Sequence, residues 1–166
     1  MWDNIFTQKR DTAKLIKWNY KFISKNKPTG LIILNNINSI DFLLDGLEVL
    51  SCDFVVKSEK KLKEKLNIAY DNSIKKDLIS WFDFVITDND LEWLRDYFSN
   101  GITPIVPENN YLSTLLKEFD PMKNEWNSFL YKDWNTWSMY AAIVRYLENY
   151  KFPMDNRNLV KNICNL

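Results

Sequence analysis

The sequence predicts an α/β domain of the Rossmann-like, doubly wound type, in which a parallel sheet of about six strands carries helices on both faces. Three observations predict it. Short β-branched runs alternate along the chain with longer segments of helical periodicity. Most of these runs are apolar throughout, as expected for strands that are buried on both faces. The length of 166 residues, without a linker or an internal repeat, suits one domain, so we expect residues 1–166 to fold as a unit.

The strands are predicted where the β-branched runs occur. In chain order they are Asn4–Thr7, Leu31–Leu34, Phe54–Lys57, Phe84–Thr87, Pro104–Val106 and a weaker one at Ser128–Tyr131.

Helices are predicted between the strands because apolar residues recur there three and four positions apart. The clearest helix runs from Trp137 to Tyr150, with Thr136 as its expected cap and Pro153 after its end. The other predicted helices are Thr12–Ser24, Ile40–Leu50, Ser73–Trp81, Leu91–Asn100, Tyr111–Phe119 and Asn156–Asn165.

Composition excludes several classes of site. The chain has no histidine, which removes Ser-His-Asp and Cys-His catalysis and histidine metal sites. It has three glycines, too few and too scattered for a glycine-rich phosphate loop. The formal net charge is zero, so we expect no nucleic-acid partner. Cys52 and Cys164 lack paired spacing and are expected to be reduced. No signal peptide and no apolar run long enough for a transmembrane segment are present, so we expect a cytoplasmic protein.

Basic residues follow the first predicted strand. In an open parallel sheet, ligands bind beyond the carboxyl ends of the strands. Lys9 and Arg10, with Lys14 one turn into the next helix, would stand at that edge, and cations at a helix N-terminus suit a diphosphate. The same three residues also fit an ordinary solvated surface, and local sequence favours that interpretation.

Acidic residues follow the strand Phe84–Thr87. Asp88 comes first, and Asp96 lies on the next predicted helix. Their carboxylates are suited to accept hydrogen bonds from sugar or ribose hydroxyls. Asn89 and Glu92 also have the spacing of a capping box, so the polarity of this segment has a structural explanation as well.

The order of these segments resembles the C-terminal, nucleotide-sugar-binding half of the GT-B retaining glycosyltransferases (glycosyl transferases group 1, glycogen synthase-like). The stretch from Ile68 to Asp88 is similar to the loop, helix and strand that lead to a pair of glutamates in that family, and Asp88 and Asp96 stand at the two glutamate positions. Gly101 and Pro104 are in register with the E-A-M-A-C-G-x-P-V-V element that follows.

The resemblance continues towards the C-terminus. Glu125–Leu130 is similar to the family's E-G-x-N-G-F-L element, and Trp137–Tyr150 to its amphipathic helix. Aspartate replaces glutamate at both acidic positions, and Leu91, Trp126 and Ser128 replace family glycines.

The resemblance implies a domain that binds a nucleotide-diphosphate sugar as donor substrate. It implies that Lys9, Arg10 and Lys14 contact the diphosphate, with Arg10 and Lys14 as the catalytic groups that stabilise the leaving charge without a metal or another cofactor. Asp96 would hold the ribose hydroxyls. The donor sugar would lie against Asp88 and its neighbours Asn89, Asp90 and Leu91.

The chain has no counterpart of the family's acceptor-binding half. We therefore expect retaining hexosyl transfer only from a two-domain or two-subunit enzyme, with an acceptor-binding domain or subunit as partner. Residues 155–166 are the candidate for the family's terminal helix, which crosses back to the other half. Two alternatives stay open: a non-catalytic protein-interaction domain on a degenerate glycosyltransferase fold, and a flavodoxin-like or receiver-like domain. The missing acidic triplet after the first strand counts against the receiver.

Overall fold

Six parallel strands form one sheet in the computed structural model, which describes residues 2–35, 41–59, 63, 65–88, 92–120, 122–123, 125–132 and 135–166. The strands are β1 (Thr29–Ile33), β2 (Asp53–Val56), β3 (Ile68–Tyr70), β4 (Phe84–Thr87), β5 (Thr103–Pro107) and β6 (Phe129–Tyr131). Their order across the sheet is β3-β2-β1-β4-β5-β6. This is the doubly wound order in which strand succession reverses between β1 and β4.

The described helices lie between and after the strands. They are α1 (Trp2–Asn19), α2 (Leu44–Glu48), α3 (Lys76–Ile79), the 3-10 segment Glu92–Asn100, α4 (Thr136–Tyr150) and α5 (Pro153–Cys164). The side chain of Asn135 caps α4 by accepting a hydrogen bond from the backbone N–H of Ser138 at 3.0 Å, so the cap lies one residue before the predicted Thr136.

The predicted first strand, Asn4–Thr7, is wrong because these residues lie within α1. Ile5 and Phe6 continue a helical apolar pattern that runs from Trp2 to the buried Ile16, and this longer pattern outweighs the short local preference for a strand. The first strand of the sheet is therefore β1, and all of α1 precedes it.

The strand β3 was not predicted from the sequence. It has only three residues, and Ala69 and Tyr70 are half-buried, so its apolar run is too short to give a periodicity. The predicted helix Tyr111–Phe119 is also wrong, because this segment forms turns. Its backbone is held by Asn127, whose side chain accepts from Lys117 N at 2.7 Å and donates to Leu115 O at 2.9 Å.

The core is built around a row of aromatic rings. Phe84 lies between Phe54 and Tyr146, with ring centroids 6.1 Å and 4.4 Å away, and Tyr146 also contacts Phe129 at 5.7 Å. All four side chains are at most 1% exposed. Gly30 pairs with Phe84 across β1 and β4, where the absence of a side chain leaves room for the ring. These rings join α4 to the central strands.

The terminal helix α5 folds back onto its own domain. Leu159, Val160 and Ile163 are buried, and Asn162 donates a hydrogen bond to the carbonyl of Trp126 at 2.8 Å. Gly101, which follows the 3-10 segment, has φ +68 and lies against Val160, so a glycine is required at this turn.

Candidate functional site

The crevice at the carboxyl ends of β1 and β4 is the candidate ligand site, because strand order reverses there. Asp88 follows β4 directly and is partly exposed. Its Oδ1 accepts a hydrogen bond from the backbone N–H of Asn35, which stands two residues after β1, at 2.8 Å. Asp88 therefore links the segments that follow the two strands at the point of reversal, and it lies at the carboxyl edge of the sheet, where the sequence predicts it.

The carboxyl ends of β4 to β6 are joined by further hydrogen bonds. The hydroxyl of Tyr131 donates to the carbonyl of Thr87 at 3.1 Å, and the backbone N–H of Glu108 donates to the carbonyl of Tyr131 at 2.8 Å. These bonds fix the floor of the crevice and leave the carboxylate of Glu108 exposed at its rim.

The segment that contains β1 and β2 carries no positive charge. Residues 28–56, which include β1, α2 and β2, contain no lysine or arginine. The first cation after them is Lys57, which directly follows β2 and is exposed. A diphosphate placed beyond β1 would therefore lack the cations that the resemblance assigns to the residues after the first strand.

Lys9, Arg10 and Lys14 do not follow the first strand, and this part of the prediction is wrong. They lie on α1, ahead of β1. The Nζ of Lys9 donates to the carbonyl of Phe82 at 3.1 Å, two residues before β4 begins. The three cations line one cavity with Asp83 and Thr103, at the amino ends of β4 and β5. The structure brings them together at the edge of the sheet opposite to Asp88.

Ionisable groups are buried at this amino edge. Lys17 of α1 pairs with Asp53, the first residue of β2, and both are nearly inaccessible. Burial lowers the pKa of Lys9, although the nearby carboxylate of Asp83 opposes this. Burial raises the pKa of Asp83, against the effects of Lys9 and of the hydrogen bond from the backbone N–H of Thr29 at 2.8 Å. These contacts hold α1 against the sheet.

The other predicted site residues are not gathered at the crevice by any described contact. Asp96 is exposed on the 3-10 segment. Burial is the main cause of the raised pKa of Tyr97, and the negative charges of Asp96 and Asp77 raise it further. Asn89, Asp90 and Leu91 lie outside the described residues.

Sequence reasoning missed Asn35 and an aromatic pair. Phe42 and Trp137 meet edge to face, with ring centroids 5.2 Å apart, and are 65% and 63% exposed. Trp137 lies in the first turn of α4, just after the carboxyl end of β6. The only signal for Asn35 was its place directly after an apolar strand.

Comparisons with known proteins place the fold. No protein-family model matches the chain, and no curated protein sequence matches it. Among solved structures, the chain is similar to the catalytic domain of starch synthase IV from Arabidopsis thaliana bound to ADP and acarbose, with TM-score 0.74 and 13% identity. That match covers 95% of this chain and 39% of the other.

A second similar structure is the glycotransferase of kitacinnamycin, with TM-score 0.54 and 9% identity over 82% of this chain and 39% of the other. The chain thus spans about two-fifths of the length of each of these two structures. No helix among the described residues is both long and apolar enough to cross a membrane. The sheet order, the parallel register and these similarities agree: the chain has the α/β fold of the Rossmann-like half of GT-B glycosyltransferases.

Proposed function

We propose that the chain is a glycosyltransferase-like domain whose carboxyl-edge crevice binds a nucleotide-diphosphate sugar, and that hexosyl transfer requires a separate acceptor-binding half. The observation that carries this proposal is the position of Asp88 at the reversal between β1 and β4. The similarity over 95% of the chain to a catalytic domain whose structure contains ADP supports the choice of ligand class.

Asp88 is proposed to bind a hydroxyl of the donor sugar. Its Oδ1 is engaged with Asn35, whereas no described residue donates a hydrogen bond to Oδ2. A charged acceptor beside a crevice suits a sugar hydroxyl, and a hydrogen bond to a charged group contributes about 1.5–3 kcal/mol. Asp96 is proposed to bind the ribose hydroxyls.

Binding of the diphosphate is expected to be weak. The clamp of Lys9, Arg10 and Lys14 that the resemblance implied lies at the opposite edge of the sheet, and residues 28–56 offer no cation in its place. Without this positive charge, the leaving diphosphate is poorly stabilised, so little transfer is expected from the chain alone. We propose that a partner supplies the missing charge together with the acceptor.

Calorimetry with paired ligands tests the proposal. ADP-glucose and UDP-glucose are compared with ADP and UDP, in the wild type and in Asp88→Asn, which keeps the oxygen that accepts from Asn35 N and removes the free carboxylate oxygen. Affinity for the sugar nucleotides should fall about tenfold, with little change for the diphosphates. Asp77→Asn, an exposed change on α3, is the matched control and should change neither affinity.

The second candidate is a non-catalytic protein-interaction domain. The exposed pair Phe42 and Trp137 favours it, because exposed aromatic rings are typical of protein interfaces. The absence of cations in residues 28–56 also favours it. No binding of any nucleotide at millimolar concentration would support this candidate, whereas robust sugar transfer by the lone chain would contradict the need for a second half.

A further inference from the structure

A cavity of about 1280 Å³ lies at the amino edge of the sheet, opposite to the crevice described above. One wall is α1 with the segment that follows it, residues 21–27. The other contains Asp83 and Thr103 at the starts of β4 and β5, with Tyr150 at the end of α4. Ligand pockets usually measure about 300–1,000 Å³, so this cavity is large enough for an organic molecule.

Four of the cations that line the cavity have no carboxylate partner among the described residues. They are Arg10 on α1 and Lys21, Lys25 and Lys27 in the segment after it. Lys21 has φ +58, and the turn that holds it there is closed by the backbone N–H of Phe22, which donates to the carbonyl of Lys17 at 2.9 Å. This left-handed turn ends α1 and brings the following lysines to the cavity.

Three further cations of the lining are compensated. Lys17 forms the buried pair with Asp53, and Lys14 lies 3.8 Å from Asp11 on the helix surface. Lys9 lies near Asp83, the single carboxylate in the described lining. The cavity therefore has a strong excess of positive charge, while the whole chain has a net charge of zero.

The remaining lining is aromatic and aliphatic. Phe22 and Tyr146 are buried, and Tyr150 is half-buried. Trp18 and Ile23, also in the lining, are 82% and 80% exposed. Apolar walls bind a ring, and unpaired lysine and arginine side chains bind phosphate oxygens.

We propose that this cavity is a second ligand site, which binds an organic phosphate with an aromatic body. The phosphate lies among Arg10, Lys21, Lys25 and Lys27, and the ring lies against Trp18 and the half-buried Tyr150. This site is separate from the donor crevice, since it lies at the other edge of the sheet, and it does not depend on the proposed glycosyltransferase function.

Calorimetry with 1-naphthyl phosphate, inorganic phosphate and 1-naphthol tests the proposal on the full chain. We expect 1-naphthyl phosphate to bind at least tenfold more tightly than either part alone. The double variant Arg10→Ala/Lys21→Ala should weaken its binding tenfold or more. The matched control, Lys75→Ala/Lys76→Ala, removes two exposed lysines beside and in α3 and should bind as the wild type does. Asp88→Asn should also bind normally, which separates this site from the crevice.

Thermal unfolding and circular dichroism of each variant verify that the fold is kept, and Lys25→Ala/Lys27→Ala replaces the first double variant if that one fails to fold. The proposal is overturned if 1-naphthyl phosphate does not bind at 10 mM, or if the control Lys75→Ala/Lys76→Ala reduces its affinity as much as the cavity variant does. Equal affinity for inorganic phosphate or for 1-naphthol would overturn the combined recognition of charge and ring.

Discussion

Replacing Gly30 by alanine tests the packing of the central strands. A Cβ at this position would lie 2.2 Å from Cζ and 2.4 Å from Cε2 of Phe84, whereas ordinary contacts begin at 3.4 Å. The ring would have to retreat by about 1 Å. The Phe84 ring is fully buried and packs against the rings of Phe54 and Tyr146, which restrict its movement. We expect the free energy of unfolding to fall by about 3 kcal/mol, the upper end of the cost of overpacking.

Urea denaturation measures this loss directly. For a chain of this size, about 3 kcal/mol corresponds to a decrease of roughly 6–12 °C in Tm. The matched control is Gly46→Ala in α2. There the new Cβ would lie 3.1 Å from Cε2 of Tyr140, so this half-buried ring would have to move by only a few tenths of an ångström, and alanine favours the helix by up to about 1 kcal/mol. We expect this variant to be as stable as the wild type. Phe84→Leu should rescue part of the loss in Gly30→Ala. A change below about 0.5 kcal/mol in Gly30→Ala would refute the reasoning.

Three more predictions concern polar and thiol groups. Lys17→Met should lower the free energy of unfolding by about 3–5 kcal/mol, because it leaves Asp53 charged and buried, and adding Asp53→Leu should restore most of it in urea titrations. Tyr20→Phe removes a 2.7 Å hydrogen bond to Asp71 and should cost about 1 kcal/mol at pH 7. Burial tends to raise the pKa of Asp71, but the hydrogen bonds from Tyr20 and from the backbone and side chain of Ser73 lower it further, so the net shift is downwards. The stabilisation is therefore present above the ordinary value of 3.8 and is lost as pH falls through the lower folded value, so the difference between wild type and Tyr20→Phe should shrink there. Cys52 is fully buried with a raised pKa, chiefly through burial, so iodoacetamide at pH 8 should alkylate it only after unfolding, as mass spectrometry would show.

The buried strands were the most predictable part of the fold. Phe84–Thr87 has the predicted bounds, because a short apolar run before a polar loop has few other interpretations in an α/β chain. The short edge strand Ile68–Tyr70 and the turns of Tyr111–Phe119 depend on long-range pairing and on the side chain of Asn127. Local periodicity reports neither the strand pairing nor the Asn127 contacts, so the sequence alone could not assign these two segments.

One error in strand assignment changed the predicted site. Because the sequence predicts a first strand at Asn4–Thr7, it also predicts that Lys9 and Arg10 lie at the carboxyl edge of the sheet. With Asn4–Thr7 in a helix, the same cations lie at the amino edge. Their clustering was predicted, but their location was not, because the edge depends on which segment enters the sheet. Asp88 was placed at the correct edge because its strand was assigned correctly.

The reversal between β1 and β4 also has a consequence for the order of folding. Gly30 pairs with Phe54, 24 residues away, and with Phe84, 54 residues away. Closing the longer loop costs about 0.7 kcal/mol more in chain entropy, since this cost rises with the logarithm of loop length. The pairing of β1 with β2 should therefore precede that of β1 with β4 during folding. The hydrogen bond from Asn35 to Asp88 spans 53 residues and belongs to the later step. The crevice would then be among the last features to form as the chain folds, after pairing has begun within β1–β3 and within β4–β6.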